Sequence, residues 1–149
     1  MIPSLDTRRF LRDEELDYGL ALVLGAERRL VKALDKFSTA TGLTQRDLRL
    51  LMVIHATPGL TVRSLRRKMG ATVPTMARQL GQLDKEGWID RRAEAEDGRE
   101  RLVSLSETGA DRLKPVIDEM RAIVRDAYRS AGVEAVAGAR DVLALIAKG

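Results

Sequence analysis

Apolar residues recur at three- and four-residue steps early in the chain: Leu16, Leu20, Val23, Leu24, Leu30, Val31, Leu34 and Phe37. One face of a helix has that period, and the pattern predicts a long helix over 13–38 behind an arm of about ten residues. Thr44 opens a second helix as its N-cap, with Asp47 three residues on as a short-armed capping box. That helix carries Leu48, Leu51, Met52 and His55 and stops at Thr57-Pro58-Gly59. Thr61 caps a third, with Val62, Leu65 and Met69 on its inner side. After Gly70-Ala71, Thr72 caps a fourth, and Pro74 lies in its first turn, where a missing N–H costs nothing. Val73, Met76, Leu80 and Leu83 form the stripe predicted to be buried, and Glu86-Gly87 ends the helix.

There the period changes to alternation. Residues 88–92 read as a strand and 101–105 as its partner, with Val103 and Leu105 turned inward. The connection ends in Asp97-Gly98, a tight-turn dipeptide. Ser106 caps a fifth helix reaching to about Ser130, apolar along Leu113, Val116, Ile117, Met120, Ile123, Val124 and Tyr128. A last helix follows Gly132 with Val133, Val136, Val142, Leu143 and Ile146. The predicted fold is mainly α with a small β-hairpin wing. A winged helix-turn-helix core over 41–105 is flanked by an arm and dimerisation helix over 1–40 and by C-terminal dimerisation helices over 106–149. The two long helices are apolar on a face that a winged helix of some 60 residues cannot cover, which points to a homodimer.

Composition narrows the chemistry. Aromatics make up 3% of the chain, so the core must be aliphatic and helix-on-helix packing is favoured. Without cysteine, and with His55 as the one histidine, a disulfide framework and a Cys/His metal site are both excluded. No stretch approaches the roughly 18 consecutive apolar residues of a membrane span. The N-terminus lacks the apolar core of a secretory signal, so a cytoplasmic protein is expected. There is no phosphate loop, nucleophile elbow or pair of carboxylates in an apolar setting. The acidic run Asp90, Glu94, Glu96 and Asp97 falls on a solvated hairpin. Neither an enzyme nor a bound cofactor is expected.

Charge is uneven. Residues 44–104 hold 12 Lys+Arg against 8 Asp+Glu, so the whole net charge of +4 resides there. From 61 to 78 there are Arg63, Arg66, Arg67, Lys68 and Arg78 and no acid. Such asymmetry is the footprint of a phosphate-binding surface. The fourth helix offers Thr72, Thr75, Arg78 and Gln79, and arginine and glutamine suit bidentate reading of guanine and adenine edges. Arg63, Arg66, Arg67 and Lys68 would clamp phosphates beside them. The hairpin adds Arg99 and Arg101, and an arginine on a thin wing can enter a narrow minor groove. Asp97 could orient Arg99 there or simply pair with it. A winged helix that binds protein would have apolar residues interrupting the basic patch. Between Arg63 and Lys68 only Ser64 and Leu65 intervene, and Leu65 belongs to the buried stripe.

Three stretches resemble the MarR family of bacterial transcriptional regulators. Thr72-Val73-Pro74-Thr75-Met76-Ala77-Arg78-Gln79-Leu80 is similar to the start of that family's recognition helix. Leu83-Asp84-Lys85-Glu86-Gly87-Trp88-Ile89-Asp90-Arg91 is similar to its Leu-x-x-x-Gly-x-(Ile/Val)-x-Arg exit into the wing. Asp97-x-Arg99-x-x-x-Val103-x-Leu105-Ser106 matches its wing signature, with Ser where Thr is usual. The flanking helices fit as well. The resemblance implies a homodimer on a palindromic operator in double-stranded DNA, more often as a repressor, with Arg99 at the DNA-contacting position of the wing. It also implies release by a small aromatic or phenolic ligand, for which Tyr18, Phe37, Arg49, Met52 and His55 are the candidate cleft residues.

Overall fold

The computed structural model describes residues 9–93 and 101–148. A single 3-10 turn, Arg9–Leu11, precedes α1 (Asp13–Asp35). The chain then forms α2 (Ser38–Thr41), α3 (Gln45–Ala56), β1 (Leu60–Thr61), α4 (Val62–Met69) and α5 (Val73–Lys85). The wing strands β2 (Ile89–Ala93) and β3 (Arg101–Leu105) follow, then α6 (Glu107–Ala131) and α7 (Val133–Ala147).

The polar caps set these boundaries. Thr44 Oγ1 accepts from the Asp47 N–H while Asp47 Oδ2 accepts from the Thr44 N–H, both at 3.1 Å, completing the capping box of α3. Thr61 Oγ1 accepts from the Ser64 N–H at 3.1 Å, Thr72 Oγ1 from Thr75 at 3.3 Å, and Ser106 Oγ from Gly109 at 2.8 Å. A cap of this kind contributes about 1 kcal/mol.

Three features depart from the sequence expectation. The first helix ends at Asp35 rather than Ser38, because the Phe37 N–H bonds back only three residues, to the Leu34 carbonyl at 3.0 Å. That tightened turn lets Phe37 pack against the core, and the single turn α2 closes on Gly42 at φ 71°. Secondly, Leu60–Thr61 is a strand. It pairs antiparallel with β3 (Leu60 with Val103, Thr61 with Leu102), so the sheet has the order β1-β3-β2. Thirdly, Val73 is not buried but 65% exposed. It occupies the first position of α5, beyond the edge of the core, and the buried place at that end is taken by Ala71.

The core lies where α3, α4, α5 and the start of α6 meet the sheet. Leu48, Leu51 and Ile54 of α3 join Leu65 of α4 and Met76, Leu80 and Leu83 of α5. Trp88, Ile89, Val103, Leu113 and Val116 complete it. Each such aliphatic side chain contributes roughly 1.5–3 kcal/mol when fully removed from water. Trp88 packs its indole here with Arg112 stacked 3.7 Å from the ring centroid.

Outside this core the long helices are bare. Leu16, Leu20 and Leu24 of α1 are exposed, and α7 has no buried residue although Val133, Val142, Leu143, Leu145 and Ile146 lie along it. No helix among the described residues is long and apolar enough to cross a membrane.

Candidate nucleic-acid interface

Helices α4 and α5 form the helix-turn-helix. Gly70 closes α4 in the left-handed region at φ 59°, where a side chain would be strained, and the Ala71 N–H returns to the Arg66 carbonyl at 3.1 Å. The same arginine then braces the turn, its Nη1 donating to the Ala71 carbonyl at 3.3 Å. Arg66 is accordingly half-buried, whereas Arg63, Arg67 and Lys68 are exposed. The four basic residues grouped by charge alone thus separate into one brace and three outward cations.

On α5, Thr72, Val73, Pro74 and Arg78 are exposed and Thr75 is half-buried, its hydroxyl accepting from Thr72 Oγ1 at 2.8 Å. Gln79 is less open than Arg78. It is half-buried, and its Nε2 donates to Asp47 Oδ1 at 3.0 Å across the gap between α5 and α3. An open cleft of about 340 Å³ lies there, lined by Thr44, Arg46, Asp47, Thr75, Arg78, Gln79 and Gln82. Val73 was not a candidate from sequence. Its exposure beside Thr72 and Pro74 makes it a further one, since an apolar side chain can meet a thymine methyl group. Only its place at the first position of the helix hints at this in the sequence.

The wing leaves α5 through Gly87, at φ 80°, with the Trp88 N–H bonded to the Leu83 carbonyl at 2.9 Å. Arg91 on β2 reaches back to Asp84 on α5, with Nη2 at 2.9 Å and Nε at 3.2 Å from Oδ2. That pair ties the wing to the end of α5 and gives a physical role to the arginine of the exit motif. Strand pairing runs from Ile89 with Leu105 outward to Ala93 with Arg101. Asp97, Gly98 and Arg99 lie outside the described residues. Arg101, at the last described pair, is exposed. It lines a groove of about 390 Å³ between α4, α5 and the wing, together with Thr61, Val62, Arg63, Ala77, Leu80 and Arg91. Among the described residues Arg63, Arg67, Lys68 and Arg78 have no ion-pair partner. Among the described residues, α4, α5 and the wing strands thus present the exposed cations Arg63, Arg67, Lys68, Arg78 and Arg101, with hydrogen-bonding side chains of α5 beside them.

The chain is similar in sequence and fold to known proteins. A family model described as MarR family matches residues 41–100. The HTH-type transcriptional regulator PetP of Rhodobacter capsulatus is 34% identical over 141 residues, which cover 95% of this chain and 85% of PetP. The chain belongs to the MarR family. It is a DNA-binding helix-turn-helix transcriptional regulator rather than an enzyme. The MarR fold is seen equally in solved structures of lower identity. NadR in complex with 4-hydroxyphenylacetate superposes with a TM-score of 0.75 at 19% identity, covering 85% of this chain and 89% of NadR. MepR of S. aureus in its DNA-binding conformation superposes at 0.72 and 17% identity, covering 85% and 93%.

Within this MarR fold the candidate ligand residues are scattered. An apolar cleft of about 510 Å³ opens between α1, α3 and α6, lined by Leu30, Met52, Met120, Val124 and Tyr128 and edged by Arg121, Arg125 and Arg129. Of the five residues expected there, Met52 lines it. Phe37 packs on the core, Tyr18 is 65% exposed, and Arg49 pairs with Glu27 at 3.2 Å. His55 adjoins the cleft through Arg121, whose Nη2 lies 3.3 Å from His55 Nε2. A guanidinium can only donate, so a hydrogen bond here requires Nε2 to accept, which the neutral ring can do and the protonated ring cannot. Partial burial, then the charge of Arg121, holds the His55 pKa below its ordinary 6.5. Among the described residues no group of three or more His, Asp or Glu could hold a metal ion.

Proposed function

We propose that this MarR-family regulator is a homodimeric repressor that binds a palindromic operator and is released by a small aromatic or phenolic ligand. The observation that carries the proposal is the outward face of α5. Arg78 stands there exposed, flanked by Thr72, Pro74 and Thr75, with the cations of α4 beside it. Arg78 would read a guanine edge in the major groove, with Gln79 next to it. Arg63, Arg67 and Lys68 would clamp phosphates, and Arg66 would add whichever guanidinium donors the turn does not use. Arg99, oriented by Asp97, would enter the minor groove from the wing, with Arg101 behind it.

The bare apolar faces of α1 and α7 support the dimer. Covering them would divide the chain into dimerisation segments at 1–40 and 106–149 and a DNA-binding lobe at 41–105. Two-fold symmetry would set the recognition helices about 34–36 Å apart, one turn of DNA. Release fits the cleft beside Met52. Its apolar lining suits an aromatic ring, and its arginine edge suits an acidic substituent; NadR, of the same fold, is known with 4-hydroxyphenylacetate.

The test is a footprint of the full chain on the DNA upstream of its own gene, with sedimentation of the same sample. Two protected half-sites centred about 10–10.5 base pairs apart, or a multiple of that, and a dimer in solution are expected. A monomer at micromolar concentration with no inverted repeat under the footprint would overturn the proposal.

A further inference from the structure

The contact between Asp47 and Gln79 joins α3 to the recognition helix, and it has a direction. Asp47 commits both carboxylate oxygens: Oδ2 to the Thr44 N–H at 3.1 Å, and Oδ1 to Gln79 Nε2 at 3.0 Å. A carboxylate offers no proton, so it can meet the Gln79 amide only through the NH₂ side. A glutamine free in solvent turns either edge outward; here the NH₂ group is held by Asp47, and the carbonyl Oε1 is the polar atom of the amide that this bond does not use. Arg78 and Thr75 line the same cleft, so the fixed amide sits among the side chains of the DNA-facing surface.

We infer that Asp47 is a positioning residue that sets which edge of the Gln79 amide faces DNA, and so which bases are accepted at that position. This rests on α5 lying in the major groove. An outward carbonyl accepts from an exocyclic amine, which adenine (N6) and cytosine (N4) present in the major groove. Guanine O6 and thymine O4 present a second acceptor and are rejected. The preference for amine-bearing over carbonyl-bearing bases should be roughly 5- to 150-fold, the range that one mismatched base pair costs.

Asp47→Asn turns this into a switch. The capping box needs an acceptor for the Thr44 N–H, so the introduced asparagine keeps its oxygen there and directs its NH₂ to Gln79. Gln79 must then turn its carbonyl inward and its NH₂ outward, and the preferred bases become guanine and thymine. Asp47→Glu keeps an acceptor-only group, and Glu is favoured at this place in a capping box, so the amine preference should persist.

The experiment selects bound sequences from a pool of randomised DNA duplexes with the full-length wild type and with Asp47→Asn, Asp47→Glu, Gln79→Ala and Arg78→Ala, each checked by thermal unfolding. Expected are loss of preference at one position per half-site with Gln79→Ala, reversal there with Asp47→Asn, and retention with Asp47→Glu. A merely structural role for Asp47 would lower affinity for all sequences alike without reversing the preference, and that result overturns the inference. So does an unchanged profile with Gln79→Ala, which would make Gln79 a strut between the helices. Arg78→Ala reports separately on the groove reading: an unchanged profile with that variant as well means that α5 does not read bases at all. Should Asp47→Asn fail to fold, an Asp47→Glu profile that loses the amine preference overturns the inference by itself.

Discussion

The Trp88 carbonyl occupies the space that a Cβ would need at Gly109. Its oxygen and carbon both fall inside contact distance of such an atom, and Ser106 Oγ lies 2.9 Å away. The approach is set by Ser106, whose N–H donates to the same Trp88 carbonyl at 3.1 Å, so the first turn of α6 is pressed against the exit from α5. Gly109→Ala should therefore lower stability by about 1–3 kcal/mol, as overpacking does. Mid-helix Gly→Ala otherwise stabilises by up to about 1 kcal/mol. Urea denaturation distinguishes the two signs, and a raised midpoint would show that the first turn of α6 can give way.

Ser106 holds the same junction from the other side. Its hydroxyl accepts from the Gly109 N–H at 2.8 Å and donates to the Gly87 carbonyl. Ser106→Ala removes both bonds and should cost about 0.5–2 kcal/mol for the cap, plus the unpaired Gly87 carbonyl. Ser106→Thr retains acceptor and donor and should recover most of it. Thermal unfolding of the two variants side by side is the measurement; equal losses would mean that bulk matters more than hydrogen bonding.

The exposed cations Arg63, Arg67, Lys68 and Arg78 should act through counterion release. The logarithm of the DNA affinity should fall linearly with the logarithm of salt concentration, by about 0.9 per phosphate neutralised. Arg67→Ala should reduce that slope by about 1 and weaken all sequences alike. Arg78→Ala should cost about 1–3 kcal/mol, concentrated at one base position. Fluorescence anisotropy across a salt series on cognate and scrambled duplexes separates the two roles.

The wing requires a different comparison. Arg91→Ala breaks the pair with Asp84, which is partly exposed and contributes no more than about 1 kcal/mol to folding. Its larger effect should be on DNA affinity, through a wing less firmly aimed. Arg99→Ala should likewise weaken DNA binding with the unfolding temperature almost unchanged. Normal binding by both variants would remove the wing from the interface.

His55 predicts a pH dependence. With its pKa held below 6.5 in the fold, the unfolded chain takes up a proton first as pH falls. The group's contribution to stability is complete above about pH 6.5 and is lost as the pH drops through that value toward the lower folded pKa. Arg121→Ala removes the nearby positive charge and should raise the His55 pKa and flatten this dependence. Because His55 is the one histidine in the chain, its ring resonances in a proton NMR titration report the shift directly. A pKa unmoved by Arg121→Ala would assign the whole effect to burial.

What the sequence determined by itself is local. The caps at Thr44, Thr61, Thr72 and Ser106 were legible because each joins groups three residues apart. The change from helical period to alternation located the wing strands, and the exit motif was legible as the family's. Partners far apart along the chain became visible only in the fold. Gln79 meets Asp47 across 32 residues and Arg121 meets His55 across 66, and no periodicity encodes either pairing. The two-residue strand at Leu60 exists only because β3 lies beside it. Val73 lies outside the core because the core stops short of it, a limit set by the shape of the assembled helices and not by hydropathy. Charge alone likewise treated Arg66 and Arg67 as equals, until the Ala71 carbonyl claimed one guanidinium and left the other free.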